Sequence, residues 1–132
     1  MIMTEHANVA LLRQGYSAYS NGDLETLDRL MDEDVVWHVT GRSQLAGDYK
    51  GKSQVFEFFA RLRELSDGTN RVTVQDLLAN DRHGVALVHT TATRGDRTYS
   101  GDEVHVSRLR DGKLVEFWDY AADPYEQDAF WA

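Results

Sequence analysis

The stretch TYSGDEVHVSRLRDGKLVEFWDYA, residues 98–121, decides the fold of this chain. Apolar and aromatic residues recur on both sides of Asp111-Gly112, and both turn residues tolerate a positive φ angle. The pair therefore predicts a tight turn between two antiparallel strands, residues 98–110 and 113–121. The same pattern upstream predicts strands at 71–80 and 85–94, with Gly95-Asp96 as another tight turn. The second half of the chain is thus an antiparallel meander of four strands.

The first half has the pattern of helices. Residues 4–20 carry apolar side chains at helical spacing, and Asn21-Gly22 supplies a left-handed stop. Asp23 suits the N-cap of a short second helix, whose end we expect to be the solvated acidic run 32–34. Residues 35–40 are typical of a strand. A loop then leads through Gly51 to a third helix capped by Ser53.

The end of the chain is too apolar to be free in solvent. Phe130 and Trp131 follow Asp123-Pro124, a pair typical of a turn or a helix start. We expect the tail to become helical and to pack back onto the domain.

Composition limits the function classes. With 132 residues and 42% hydrophobic content, we expect one domain, 1–132. A net charge of −8 opposes binding to nucleic acid or to anionic membranes. The absence of cysteine excludes disulfides and thiolate sites and fits a cytoplasmic location. No leader or membrane-spanning segment is indicated.

The order helix, helix, strand, helix, meander resembles the nuclear transport factor two-like cone fold. That superfamily includes ketosteroid isomerases, scytalone dehydratases, limonene epoxide hydrolases and SnoaL-like polyketide cyclases. The resemblance is carried by segments spread over the whole chain: NGD (21–23), DVVWHVTG (34–41), GDYKG (47–51), RLRDGK (108–113), EFW (116–118) and DP (123–124).

The resemblance implies an α+β domain in which a curved, mixed but mainly antiparallel sheet wraps around three N-terminal helices. It also implies an internal apolar pocket for a small apolar or aromatic molecule, and a homodimer that forms through the outer face of the sheet. Fold alone does not give the reaction.

Comparison with the ketosteroid isomerases and SnoaL-like cyclases supplies four candidate catalytic residues. In the ketosteroid isomerase comparison, Gly15 or Tyr16 falls near that family's helix-one tyrosine. His38 or Val39 falls near its general-base aspartate, and His105 falls near its protonated carboxylic acid. Asp119 or Asp123 matches the pocket aspartate of the cyclases. The candidates are therefore Tyr16, His38, His105 and Asp119, and we expect the two histidines to converge on one pocket. An imidazole exchanges protons near neutral pH, and a carboxyl group in an apolar pocket acts as an acid or base.

Aromatic side chains predict the pocket walls, because rings supply contact area with few polar groups. The candidates for lining, with a third strand histidine, are Trp37, Tyr49, Phe56, Phe59, His89, Trp118 and Tyr120. His38, His89 and His105 have no short ligand spacing such as H-x-x-x-H, so no metal is expected. No phosphate loop, dinucleotide fingerprint or nucleophile elbow is present, so no cofactor is implied.

Two classes of function remain open. One is an enzyme of the isomerase, cyclase or dehydratase kind, which removes a proton next to a carbonyl and needs a polar pair inside the pocket. The other is a non-catalytic ligand-binding or protein-interaction dimer. Purely apolar pocket walls favour this second class, and histidines that all face outward favour a third reading, a purely structural dimer.

Overall fold

A computed structural model of the chain describes residues 5–132. The helices are α1 (Ala7–Asn21), α2 (Leu24–Leu30), α3 (Gly51–Leu65) and α4 (Pro124–Phe130). The strands are β1 (Met31–Val39), β2 (Gly47–Lys50), β3 (Arg71–Ala79), β4 (His83–Arg94), β5 (Arg97–Arg110) and β6 (Lys113–Ala121). No helix in this part of the chain has both the length and the apolarity needed to cross a bilayer.

The strands form one sheet in the order β2-β1-β6-β5-β4-β3. Only the β1–β6 pair is parallel among these strands; the others pair antiparallel. Register shifts interrupt the β1–β6, β3–β4 and β5–β6 ladders, and such irregularities bend a sheet. The predicted fold class, a curved, mainly antiparallel sheet with three N-terminal helices, is confirmed.

Turn chemistry explains the meander. Asp111 and Gly112 have φ angles of 52° and 74°, which identifies the expected primed turn between β5 and β6. Long ladders then pair β4 with β5 and β5 with β6. The meander predicted from residues 98–121 and from the strands before them is present, with bounds that differ by at most two residues.

Three local expectations were wrong. The acidic run 32–34 lies in β1 and not at a helix end, because Met31 and Val35 are anchored in the core and draw the segment into the sheet. The loop before Gly51 contains β2, which is too short and polar to have a strand signal. Helix α3 starts at Gly51 rather than at Ser53, and its N-cap is Lys50.

The two ends of the described chain follow the sequence signals more closely. Helix α1 begins at Ala7, with the His6 side chain accepting a hydrogen bond from the Asn8 amide; the expected start at Thr4 lies outside the described residues. In the tail, Asp123 caps α4, and Phe130 and Trp131 are buried beside Tyr99 and Phe58. The tail is therefore part of the core.

Candidate functional site

A cavity of about 150 Å³ lies between the inner face of the sheet and helices α1 and α3. Most of its wall is apolar. Its lining includes leucines and aromatic rings, among them Leu27, Leu30, Trp37, Phe59, Leu114 and Phe117. Trp37 stacks on Phe117 with ring centroids 3.7 Å apart and meets Phe59 edge-on at 5.2 Å. The wall suits a small ligand with an apolar ring.

Alternation along β5 and β6 supplies the polar groups of this cavity. On β5, Glu103, His105 and Ser107 point inward and are buried, and the residues between them point outward. His105 lies directly opposite Asp119 of β6. The turn at 111–112 pairs Arg110 with Lys113, and a one-residue register shift between Arg108 and Leu109 then brings the imidazole opposite the carboxylate.

Helix α1 completes the polar cluster. The Tyr16 hydroxyl lies 2.7 Å from Nδ1 of His105. The other ring nitrogen, Nε2, lies 3.3 Å from Oε1 of Glu103 and 3.3 Å from Oδ1 of Asp119. The imidazole thus connects one phenol to two carboxylates, and its side chain is 8% exposed.

The two carboxylates are held by neutral donors as well. Thr90 donates to Oε1 of Glu103 at 3.1 Å, and Tyr99 donates to Oε2 at 3.0 Å. The side-chain amide of Gln127, on α4, donates to Oε2 of Glu103 and to Oδ2 of Asp119, both at 3.3 Å. The tail helix therefore helps to orient both acids.

One oxygen of this cluster is left over. Oδ1 of Asp119 is buried and has no hydrogen-bond partner among residues 5–132. The Nε2 atom of His105 is within ion-pair distance of it, but Nε2 makes its hydrogen bond to Glu103. An unpaired buried carboxylate oxygen is costly, and in a cavity it can accept a proton from a ligand.

Burial and neighbouring charges shift the pKa values of the groups in the cluster. Burial lowers the pKa of His105, but the carboxylates of Asp119 and Glu103 outweigh it and raise that pKa to about 9. Burial raises the pKa of Glu103, and the charge of Asp119 adds to the effect. Burial also raises the pKa of Tyr16, further increased by Asp119 and Glu103. At neutral pH we therefore expect an imidazolium beside a neutral phenol.

This protonation state fixes the direction of the hydrogen bonds. An imidazolium carries hydrogen on both nitrogens, so Nδ1 donates to the oxygen of Tyr16. The hydroxyl hydrogen of Tyr16 is then available to a ligand in the cavity that Tyr16 lines. Tyr16, with this donor, and Asp119 both line one small, largely apolar space.

His38 does not join this site, so the expected convergence of two histidines was wrong. His38 lies beside Trp118 in the β1–β6 ladder, and His105 lies opposite Asp119, the next residue. Successive residues of a strand point to opposite faces, which places His38 on the outer face. There its ring nitrogens lie 2.6 Å from Asp48 and 2.6 Å from Glu116. Burial opposes but does not cancel the effect of these carboxylates, which raise the pKa of His38.

Two of the seven predicted lining residues, Trp37 and Phe59, contribute to the cavity wall. His89, Trp118 and Tyr120 are on the outer face for the same reason of alternation. His89 there hydrogen-bonds Asp102 and Ser100, both at 2.8 Å.

Tyr49 and Phe56 belong to the packed core instead of the cavity wall. The Tyr49 hydroxyl donates to the backbone oxygen of Leu45 at 2.7 Å. Both rings pack around α3, so their predicted role in the pocket is replaced by a structural one.

The choice between Asp119 and Asp123 is clear from their positions. Asp119 lines the cavity, and Asp123 accepts a hydrogen bond from the Glu126 amide as the N-cap of α4.

Glu103 and Gln127 join the cluster although the sequence did not single them out. Glu103 shares the inward alternation of His105, which was a usable signal. Gln127 had none, because its position depends on how the tail docks.

The cluster also has to be considered as a metal site. Glu103, His105 and Asp119 each offer one ligand atom, and these atoms lie within 4.8 Å of one another. A metal requires an unprotonated imidazole nitrogen, whereas the flanking carboxylates favour the protonated ring of His105. A metal ion at this cluster would therefore have to displace the proton of His105.

Comparisons with known proteins agree with this architecture. Residues 12–117 match the family model for the SnoaL-like domain. The uncharacterized protein Rv0034 of Mycobacterium tuberculosis (strain ATCC 25618 / H37Rv) is 30% identical over 131 residues, 98% of this chain and 100% of that protein. Bal32a, from a soil-derived mobile gene cassette, is 31% identical, with a TM-score of 0.92 over 96% of this chain and 97% of that one.

A more distant neighbour shares the fold alone. IdmH from Streptomyces antibioticus, a proposed polyketide cyclase, is 21% identical, with a TM-score of 0.74 over 89% of this chain and 93% of that one. The family match and the relatives cover nearly the whole described chain. The chain therefore belongs to the SnoaL-like domain family.

Proposed function

We propose that the protein is a cofactor-independent cyclase or isomerase that removes a proton next to a carbonyl group of a small, apolar, ring-containing molecule. The observation that carries the proposal is the buried cluster of Tyr16, His105 and Asp119 in the wall of an apolar cavity, where Oδ1 of Asp119 accepts no hydrogen bond. Purely apolar walls would have favoured a binding module, and these walls are not purely apolar.

Each residue has a defined part in this reaction. Oδ1 of Asp119 accepts the proton from the carbon next to the carbonyl, and the electron pair of that C–H bond moves into an enolate. The Tyr16 hydroxyl donates a hydrogen bond to the enolate oxygen, while Nδ1 of His105 donates to the Tyr16 oxygen. The imidazolium thereby stabilises developing negative charge without touching the substrate.

The enolate has two fates. If protonated Asp119 returns the proton to another carbon, the double bond has moved and the reaction is an isomerisation. If the enolate carbon attacks a second carbonyl of the same molecule, a ring closes, and Asp119 returns its proton to the new alkoxide. Both fates restore Asp119 and balance without a cofactor. IdmH, described as a proposed polyketide cyclase, has the same fold.

The outer face of the sheet supports the proposal of a homodimer. Leu87, Val104 and Tyr120 are adjacent across β4, β5 and β6, and each is more than a third exposed. A second row places Leu78, Val85, Val106 and Trp118 side by side on the same face. A patch that crosses four strands can pair with its own copy around a two-fold axis, and we take a second copy of this chain as its occupant.

The catalytic proposal is tested with 1-tetralone, an apolar bicyclic ketone, as the probe. Exchange of its α-hydrogens for deuterium in D₂O, followed by NMR, reports proton removal directly. We expect the wild-type protein to accelerate exchange over buffer, and Asp119→Asn to lose roughly 100-fold or more of that acceleration. Asp123→Asn is the matched control, because asparagine retains the helix cap.

No acceleration by the wild-type protein, or equal rates for Asp119→Asn and the wild type, contradicts the proposal. If Asp123→Asn loses the acceleration and Asp119→Asn keeps it, the active carboxylate is Asp123, and this result also contradicts the proposal.

A further inference from the structure

A second polar pair lines the cavity away from the catalytic cluster. Tyr19 of α1 and Asn70, which directly precedes β3, both contribute to the wall. The Nδ2 atom of Asn70 donates to the Tyr19 hydroxyl at 2.8 Å. Burial raises the pKa of Tyr19, the hydrogen bond from Asn70 opposes this, and the charge of Glu103 adds to the increase, so the phenol stays neutral and keeps its hydrogen.

The pair has unused hydrogen-bonding capacity. The one side-chain hydrogen bond of the pair among residues 5–132 runs from Nδ2 of Asn70 to the Tyr19 hydroxyl, and Oδ1 of the half-buried Asn70 is not among the buried unpaired atoms of these residues. If the amide is turned over, Tyr19 donates to Oδ1 and the N–H groups of Asn70 become available. Either orientation leaves at least one donor for a ligand.

The register of the sheet separates this pair from the catalytic end. On β4, Ala86 faces His105, and Thr91 faces Arg71, the neighbour of Asn70. At about 3.3 Å per residue, Thr91 is roughly 17 Å along the strand from the position opposite His105, and Thr90, which donates to Glu103, lies between them. Tyr16 and Tyr19 are three residues apart on one face of α1, and their hydroxyls meet different partners, His105 and Asn70.

Apolar rings line the cavity wall beside Tyr19. The Tyr19 ring meets Phe59 edge-on at 5.6 Å, and Phe59 in turn meets Trp37. A ligand that spans the cavity therefore has an apolar ring body and finds polar groups at both of its ends.

We propose that Tyr19 and Asn70 form a specificity subsite that binds a second oxygen of the substrate, a hydroxyl or carbonyl at the end opposite the reacting carbonyl. The substrate class is then an apolar ring compound oxygenated at both ends. This inference rests on the proposed function, because it takes the Tyr16 end as the place of the reacting carbonyl.

Two fluorescent probes that differ by one oxygen test the subsite: 2-naphthol and naphthalene-2,6-diol. A phenol resembles an enol, so one hydroxyl of either probe fits the Tyr16 end. We expect the wild-type protein to bind the diol about tenfold more tightly, the effect of one additional hydrogen bond in a buried site. The diol is symmetric, so about twofold of any preference is statistical.

The variants separate the two ends. Tyr19→Phe preserves the ring packing and should reduce the preference for the diol to the statistical factor, while the Kd of 2-naphthol stays unchanged. Asn70→Ala should also reduce the preference for the diol. Tyr16→Phe should weaken both probes. Tyr49→Phe removes a tyrosine hydroxyl outside the cavity and should retain the wild-type preference.

A wild-type preference of twofold or less, or a full preference retained in Tyr19→Phe, overturns the subsite. Failure of both probes to bind overturns it as well. The 1-tetralone exchange experiment decides the proposed function separately, so a catalytic protein without a second-oxygen preference identifies a failure of the subsite alone.

Discussion

Replacing His105 with glutamine should change how the stability of the protein depends on pH. In the wild type, this ring faces Glu103 on its own strand, Asp119 on β6 and Tyr16 on α1. The carboxylates outweigh burial and raise its pKa from 6.5 to about 9. Glutamine keeps a polar side chain of similar length but has no charge to lose.

The magnitude follows from the shift. A histidine with a pKa that is raised by folding contributes stability that is fully present below pH 6.5 and is lost as pH rises through about 9. A shift of about 2.5 pH units corresponds to about 3 kcal/mol. The free energy of unfolding of the wild type should therefore fall by about that amount between pH 6.5 and pH 9.5, relative to His105→Gln. At pH 6.5 the variant itself should be less stable by about 3–5 kcal/mol, because two buried carboxyl groups lose their cation.

Urea unfolding at several pH values measures both effects, and NMR titration of the His105 ring measures the pKa directly. His89→Gln, on the outer face, is the control and should retain the wild-type pH dependence because it retains His105. Parallel stability curves for the wild type and His105→Gln, or a ring that titrates below pH 6.5, would refute the reasoning.

Two further outcomes are expected. Phe130→Ala should lower the free energy of unfolding, measured in urea, by about 3–5 kcal/mol, because the Phe130 residue is 4% exposed. Tyr125→Ala is the control in the same helix and should change this free energy by less than about 0.5 kcal/mol, because Tyr125 is 86% exposed. Equal effects of the two substitutions would contradict a docked tail. In sedimentation at micromolar concentration, the wild type should have twice the chain mass of 15.0 kDa, and Val104→Glu should shift it to the monomer; a wild-type monomer contradicts the proposed interface.

Local sequence signals were sufficient for most of the fold. Asp111-Gly112 predicted the hairpin because only a few residues adopt positive φ at little cost, and the strands on either side followed from their composition. Asp123-Pro124 and the apolar end of the chain predicted the docked tail helix. Where a local preference was weak, as in the four-residue β2, the tertiary pairing with β1 determined the outcome.

The candidate site was less predictable from sequence. Tyr16, His105 and Asp119 were identified because their positions match functional positions of the resembling families. His38 matched equally well, but alternation in β1 points it outward, and a shift of one residue in register reverses every side chain of a strand.

The sequence by itself determined the order of elements, the turns and the apolar character of the core, because these depend on φ preferences and on periodicity along the chain. Only the tertiary structure decided which face of each strand lines the cavity and which groups meet there. The contact of Gln127 with Glu103, and the free oxygen of Asp119, arise between segments distant along the chain. Their geometry depends on strand register and tail docking, which no local preference encodes.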